Sequence, residues 1–143
     1  MGARYCLGLS SCGSSIYVAL KSVGVVSGDK VLCNVFTLAP VPGAIENAGA
    51  VPVFVEITED YLTDLEDLEN KASQSGAKYF LLSHMRGHIV DMDRVSEICS
   101  RLGISLIEDC AHTVACRWGG KYTGTFDRAG CYSSQTYKHM NSG

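Results

Sequence analysis

A chain of 143 residues, 46% hydrophobic and 19% charged, can bury one sizeable core and is too apolar to remain disordered. Twelve basic residues against 15 acidic give a net charge of −3 with no basic block, so nucleic acid and anionic membrane surfaces lack electrostatic support as partners. No run reaches the ~20 apolar residues of a membrane span. The Met1-Gly2 start has Cys6 where an acylation signal needs Ser or Thr, and no cleavable leader follows, so a cytoplasmic protein is expected.

Tyr5 to Leu9 reads as a short strand, broken by the run Ser10-Ser11-Cys12-Gly13-Ser14-Ser15. Ile16, Ala19, Leu20 and Val23 then recur at helical spacing. A turn rich in Ser and Gly that opens a helix presents free backbone N–H groups and the positive end of the helix dipole, which suits a phosphate or simply an N-cap. Val31 to Val35 reads as a buried strand, Phe36 to Pro42 as a loop, and Gly43 to Ala48 as a short helix. Val51 to Ile57 is a second strand. A helix over Asp64 to Ser75 carries Leu65, Leu68 and Ala72 on one face. Lys78 to His84 is a buried strand, and Asp91 to Leu102 a helix with Met92, Val95, Ile98 and Leu102 inward. Strands follow at Ile104 to Glu108 and Ala129 to Tyr132, with a turn at Trp118-Gly119-Gly120 between them. Strands alternating with helices of about ten residues predict one α/β system on a mostly parallel sheet.

The chemistry gathers near the end of the chain. Glu108 and Asp109 close an apolar strand, where open α/β sheets bind ligands. Lys138 follows in a loop of hydroxyls: Ser133, Ser134, Thr136 and Tyr137. A lysine facing an acid can form an imine with an aldehyde cofactor, and pyridoxal phosphate needs both partners. The seven cysteines form an odd set without a CxxC pair, so neither a disulfide framework nor a metal site is expected; they read as small buried hydrophobes.

Five segments in order carry a family resemblance: the stretch from Ser10 to Leu20, Gly28-Asp29-Lys30-Val31 with Ala48 to Val55, His84-Met85-Arg86-Gly87 with Asp91-Met92-Asp93, Glu108-Asp109-Cys110-Ala111-His112, and Gly130-Cys131-Tyr132-Ser133 with Lys138. Over essentially its whole length the chain resembles the DegT/StrS family of sugar aminotransferases, which use pyridoxal phosphate on fold type I. The resemblance implies that residues 1–143 are part of a large cofactor-binding domain, without the small C-terminal domain, so the chain reads as an internal fragment of a longer, homodimeric enzyme. It implies that Lys138 holds the cofactor as an internal aldimine and shuttles a proton, that Asp109 pairs with the pyridine nitrogen, and that His112 lies against the ring. Ser133 and the backbone amides of Gly13 and Ser14 would hold the phosphate. The reaction implied moves an amino group from an amino acid, glutamate foremost, to a nucleotide-linked keto-sugar. A related dehydrase replaces the lysine by histidine; here Lys138 is present, with His139 beside it.

Two positions depart from the family pattern. Cys12-Gly13-Ser14 stands where the family has glycine-threonine-alanine/serine, which leaves Ser14 or Ser15 to replace the threonine hydroxyl. Leu38 stands where an aromatic side chain stacks on the ring, unless Phe36 swings in. The alternative reading is a truncated, inactive α/β module with a vestigial cofactor site. A dinucleotide-binding domain is disfavoured, because no GxGxxG follows the first strand.

Overall fold

A computed structural model describes residues 2–142. Five strands, β1 (Lys30–Asn34), β2 (Val51–Val55), β3 (Tyr79–Ser83), β4 (Ser105–Asp109) and β7 (Ala129–Cys131), form a sheet of order β2-β1-β3-β4-β7. All four pairings are parallel. A separate antiparallel hairpin, β5 (Arg117–Trp118) and β6 (Lys121–Tyr122), turns at Gly119-Gly120. The α/β class with a mostly parallel sheet is therefore as the sequence implies.

Four helices cover the sheet: α1 (Cys12–Ser22), α2 (Pro40–Asn47), α3 (Leu65–Ser75) and α4 (Met92–Leu102). Buried strands of a parallel sheet place alternate residues on opposite faces. Val31, Cys33, Leu81 and Ile107 pack with Ile16 and Leu20 of α1 and Val41 and Ile45 of α2. Leu32, Phe80, Leu82 and Leu106 pack on the other face with Leu68 of α3 and Met92, Val95 and Ile98 of α4. Helix ends follow local chemistry. The side chains of Asp64 and Asp91 accept the first free N–H groups of α3 and α4, and Gly76 and Gly103 close them in the left-handed conformation.

The chain leaves β1 toward β2 and then crosses back to β3 on the other side of β1. Connections diverge at that point, and such a switch opens a crevice beyond the strands' carboxyl ends. Asn34, the last residue of β1, bridges it. Its Oδ1 accepts the Ser83 backbone N–H at 2.9 Å, and its Nδ2 donates to the Ser83 carbonyl at 3.1 Å.

Four sequence expectations need correction. Tyr5 to Leu9 joins no sheet; with no neighbouring strand to pair with, it stays irregular and exposed. Helix α1 begins at Cys12 and not Ile16, because the Ser11 hydroxyl caps it by accepting the Ser14 N–H. Helix α2 begins at Pro40, inside the expected loop. Proline is tolerated there because first-turn N–H groups have no intrahelical acceptor. Strand β2 stops at Val55, and Ile57 bridges instead to Thr63.

Candidate active site

Strands β1, β3 and β4 each end in a buried polar residue: Asn34, Ser83 and Asp109. They form a hydrogen-bonded ledge across the carboxyl ends of β1, β3 and β4. The Ser83 hydroxyl donates to Asp109 Oδ2 at 2.9 Å, and the Ala111 N–H donates to Oδ1 at 3.1 Å. The Cys12 thiol, at the start of α1, reaches the same Oδ1 at 3.8 Å. Burial, and then the Asp109 charge, push that thiol up to about 12. The Asp109 carboxylate is therefore fixed from three sides and sits beside the helix terminus expected to receive a phosphate.

Lys138 reaches this ledge from a loop that closes on itself: the Ser142 N–H donates to the Ser134 carbonyl at 2.9 Å, and the two hydroxyls lie 2.9 Å apart. Its Nζ lies 2.6 Å from His112 Nε2. The other ring nitrogen, Nδ1, accepts the Arg86 backbone N–H at 3.2 Å. Burial holds the His112 imidazolium below its ordinary range. The Lys138 charge adds to this, as do Arg86 and His139, while Asp109 opposes it. Asp109, His112, Lys138 and Cys12 thus share one electrostatic environment.

One of the two backbone amides expected to hold a phosphate is already engaged within the chain. The Ser14 N–H is taken by the Ser11 cap, which leaves the first-turn N–H groups of Cys12 and Gly13 without an intrahelical acceptor. Ser133 follows the end of β7, and that end packs against α1, with Cys131 in the same apolar cluster as Ile16 and Ala19. Phe36 is committed elsewhere: its ring packs against Tyr61 at 5.1 Å and His88 at 6.0 Å. Leu38 stays 48% exposed, free to lie against a ligand.

The neighbouring acid behaves otherwise. Glu108 is 1% exposed and faces the α3/α4 side. Its oxygens accept the Gly124 and Phe126 N–H groups, each at 2.8 Å, and face His84 Nε2 at 3.1 Å. Cys110 lies close by, so these three side chains have metal-ligand chemistry. The backbone donors already occupy both carboxylate oxygens, however, and burial pushes the Cys110 thiol upward, away from the thiolate a metal takes. The cluster is a polar pin between β4 and the segment leading to β7. Of the cysteines, Cys33, Cys99, Cys110 and Cys131 are buried as expected, whereas Cys6 is exposed and Cys12 and Cys116 are half-buried.

Sequence reasoning missed Asn34, Ser83, Cys12 and the Arg86 backbone. A polar residue closing each of three strands was the available signal for the first two.

An open parallel sheet with an anchored acid at its carboxyl edge has the architecture of the fold-type-I aminotransferases. The chain belongs to the DegT/DnrJ/EryC1/StrS aminotransferase family, whose model matches residues 1–143. It is 34% identical over 144 aligned residues to a putative L-glutamine:3-amino-2,3-dideoxy-scyllo-inosose aminotransferase of Micromonospora echinospora, covering 100% of this chain and 34% of that protein. It is 38% identical over 133 residues to the dTDP-3-amino-3,4,6-trideoxy-alpha-D-glucose transaminase of Micromonospora megalomicea subsp. nigra, covering 92% of this chain and 35% of that protein. Among solved structures, 3-amino-5-hydroxybenzoic acid synthase superposes with TM-score 0.91 at 31% identity over 99% of this chain and 37% of its own. The aminotransferase from Psychrobacter cryohalolentis gives 0.90 at 25% identity, over 99% and 36%. The chain thus spans about a third of the length of these relatives. Among the described residues no helix is long and apolar enough to cross a membrane.

Proposed function

We propose that this chain carries the cofactor-binding core of a pyridoxal-phosphate-dependent aminotransferase acting on a keto-sugar or a related cyclic ketone. The observation that carries the reading is the convergence of a three-sided carboxylate, Asp109, with the His112–Lys138 pair on one ledge. Pyridoxal phosphate, when bound, supplies an aldehyde that an amine captures and a ring that accepts the electron pair left when a substrate C–H bond breaks.

The residues fit that group. Asp109 would hold the proton on the pyridine nitrogen, since an anion fixed by Ser83 and Ala111 favours a charged partner over a neutral one. Lys138 would supply the amine that holds the aldehyde and, when free, a base that could carry a proton at that site. His112 and Leu38 would cover the two faces of the ring. Gly13 and Ser133, with the Ser14 hydroxyl now shared with Ser11, would take the phosphate at the positive end of α1. Three of the relatives are named for L-glutamine, so the donor comes to this chain as glutamate or glutamine. The carbonyl acceptor comes as a nucleotide-linked keto-sugar or a keto-cyclitol, and the family resemblance adds a homodimeric assembly for the longer protein.

The test is a half-reaction. Protein loaded with pyridoxal phosphate should lose its visible absorbance when glutamate or glutamine is added and regain it with a keto-sugar. A stable spectrum under every donor would instead support the alternative, a module that keeps the fold without the reaction.

A further inference from the structure

The turn after β3 places a charged residue at the rim of the crevice. Arg86 adopts φ 54°, a left-handed conformation that glycine would hold with less strain, and Gly87 continues the turn at φ 87°. The turn is seated on His112. The Arg86 backbone N–H donates to Nδ1 at 3.2 Å, and a Cβ added at Gly87 would lie 3.8 Å from the His112 carbonyl. Lys138 Nζ lies 2.6 Å from the other ring nitrogen, so one imidazole separates the Arg86 backbone from the lysine. The Arg86 side chain is exposed, and among the described residues its guanidinium has no carboxylate within ion-pair distance and no hydrogen-bond acceptor. Arg101, by contrast, pairs with Glu69 at 2.8 Å and Arg128 with Asp127 at 3.4 Å. The charges that act on His112 are Lys138, Arg86 and His139 against Asp109, whose oxygens Ser83 and Ala111 already hold. A chain of net charge −3 therefore keeps a positive rim at the carboxyl edge of its sheet.

We propose that Arg86 anchors a substrate oxyanion at this site, its planar guanidinium taking a carboxylate or a phosphate through paired N–H bonds. This role rests on the cofactor reading and deepens it, with Lys138 as the cofactor lysine. Two substrate groups share the chemistry: the α-carboxylate of the amino donor and the diphosphate of a nucleotide-linked acceptor. The carboxylate is bonded to the carbon that carries the donor's amine, so it comes close to Lys138 whenever that amine meets the cofactor aldehyde. The diphosphate lies beyond the sugar ring, further out along the rim. A strained turn that glycine would hold more cheaply is retained with a side chain, and an arginine left without an internal partner is free to supply the fork.

The test titrates oxyanion probes into the histidine-labelled, cofactor-free chain, with the His112 ring resonances as reporter. L-glutamate is paired with its α-amide, and dTDP with thymidine, so that each pair differs in the oxyanion. At least one oxyanion should displace the His112 signals while its partner does not. A response to L-glutamate assigns the carboxylate, and a response to dTDP the diphosphate. Arg86→Gly suits φ 54° and keeps the N–H on His112, so it removes only the guanidinium. It should weaken the responding probe about tenfold or more without lowering the melting temperature. Arg86→Lys, which keeps the charge without the fork, should weaken it about threefold. No response to either oxyanion, or an affinity unchanged in Arg86→Gly, overturns the proposal. Failure of the cofactor reading looks different: borohydride traps no pyridoxal phosphate on Lys138, while Arg86-dependent binding of the oxyanion persists.

Discussion

Glu108 and Asp109 are adjacent, acidic and almost fully buried, at 1% and 7% exposure, yet they serve opposite sides of the sheet. Alternation along β4 sends Leu106 and Glu108 toward α3 and α4, and Ile107 and Asp109 toward α1. On the first side the carboxylate is saturated by Gly124, Phe126 and His84, which pin a loop. On the second it is held by Ser83 and Ala111 but sits at the mouth of the crevice beside Cys12. Identical chemistry gives a structural pin where the donors close the shell and, under the proposed function, a ligand partner where they leave a side open.

That contrast can be broken most forcefully at Glu108. Glu108→Ala strands two buried N–H groups and the His84 ring, so it should cost about 3–5 kcal/mol of stability, read by urea denaturation. A cost below about 1 kcal/mol would show that the pin is dispensable. Gly124, whose N–H feeds that pin, gives the next largest effect. It sits at φ +83°, and a Cβ there would lie 2.0 Å from the Tyr132 hydroxyl. Gly124→Ala should therefore cost about 3 kcal/mol, combining overpacking with backbone strain. Gly120, at φ +87° with open space around it, should lose only about 1 kcal/mol when changed to Ala. Equal melting shifts for the two variants would mean that the close approach at Gly124 is absent in solution.

Asp109→Asn reverses the pattern. Its carbonyl oxygen can still accept from Ser83 or Ala111, so stability should change by under about 1 kcal/mol. Affinity for pyridoxal phosphate should fall about 10- to 100-fold, as expected for a lost hydrogen bond to a charged group. Fluorescence titration alongside a thermal melt separates the two quantities; a large loss of stability without a change in affinity would make Asp109 a second pin. Leu38→Phe is the gentlest probe. An aromatic ring at this exposed position should tighten cofactor binding severalfold, the scale of one stacking contact. Unchanged affinity would place Leu38 away from the ring.

Much of this was legible in the sequence, because burial on both faces makes strands of a parallel sheet read as apolar runs, and β1, β3 and β4 do so. The acid closing β4 was legible because it ends an apolar run, whereas Lys138 stood out by its loop of hydroxyls and its family spacing from Ser133. Tyr5 to Leu9 was misread because apolar alternation describes a half-buried strand only if a neighbouring strand exists. The start of α2 was misread because Pro40 and Pro42 look like loop residues although a first turn accepts them. The His112–Lys138 contact spans 26 positions and depends on how the Arg86 turn and the 133–142 loop fold back, which no local pattern encodes.

The most direct measurement is to incubate the chain with pyridoxal phosphate, reduce with borohydride and map the modified peptide among its six lysines (Lys21, Lys30, Lys71, Lys78, Lys121 and Lys138). The arrangement at the carboxyl edge of the sheet predicts one dominant adduct, on Lys138, that weakens in Asp109→Asn and survives in Leu38→Phe. Label spread over the exposed lysines, with Lys138 no more modified than Lys30 or Lys121, would contradict it.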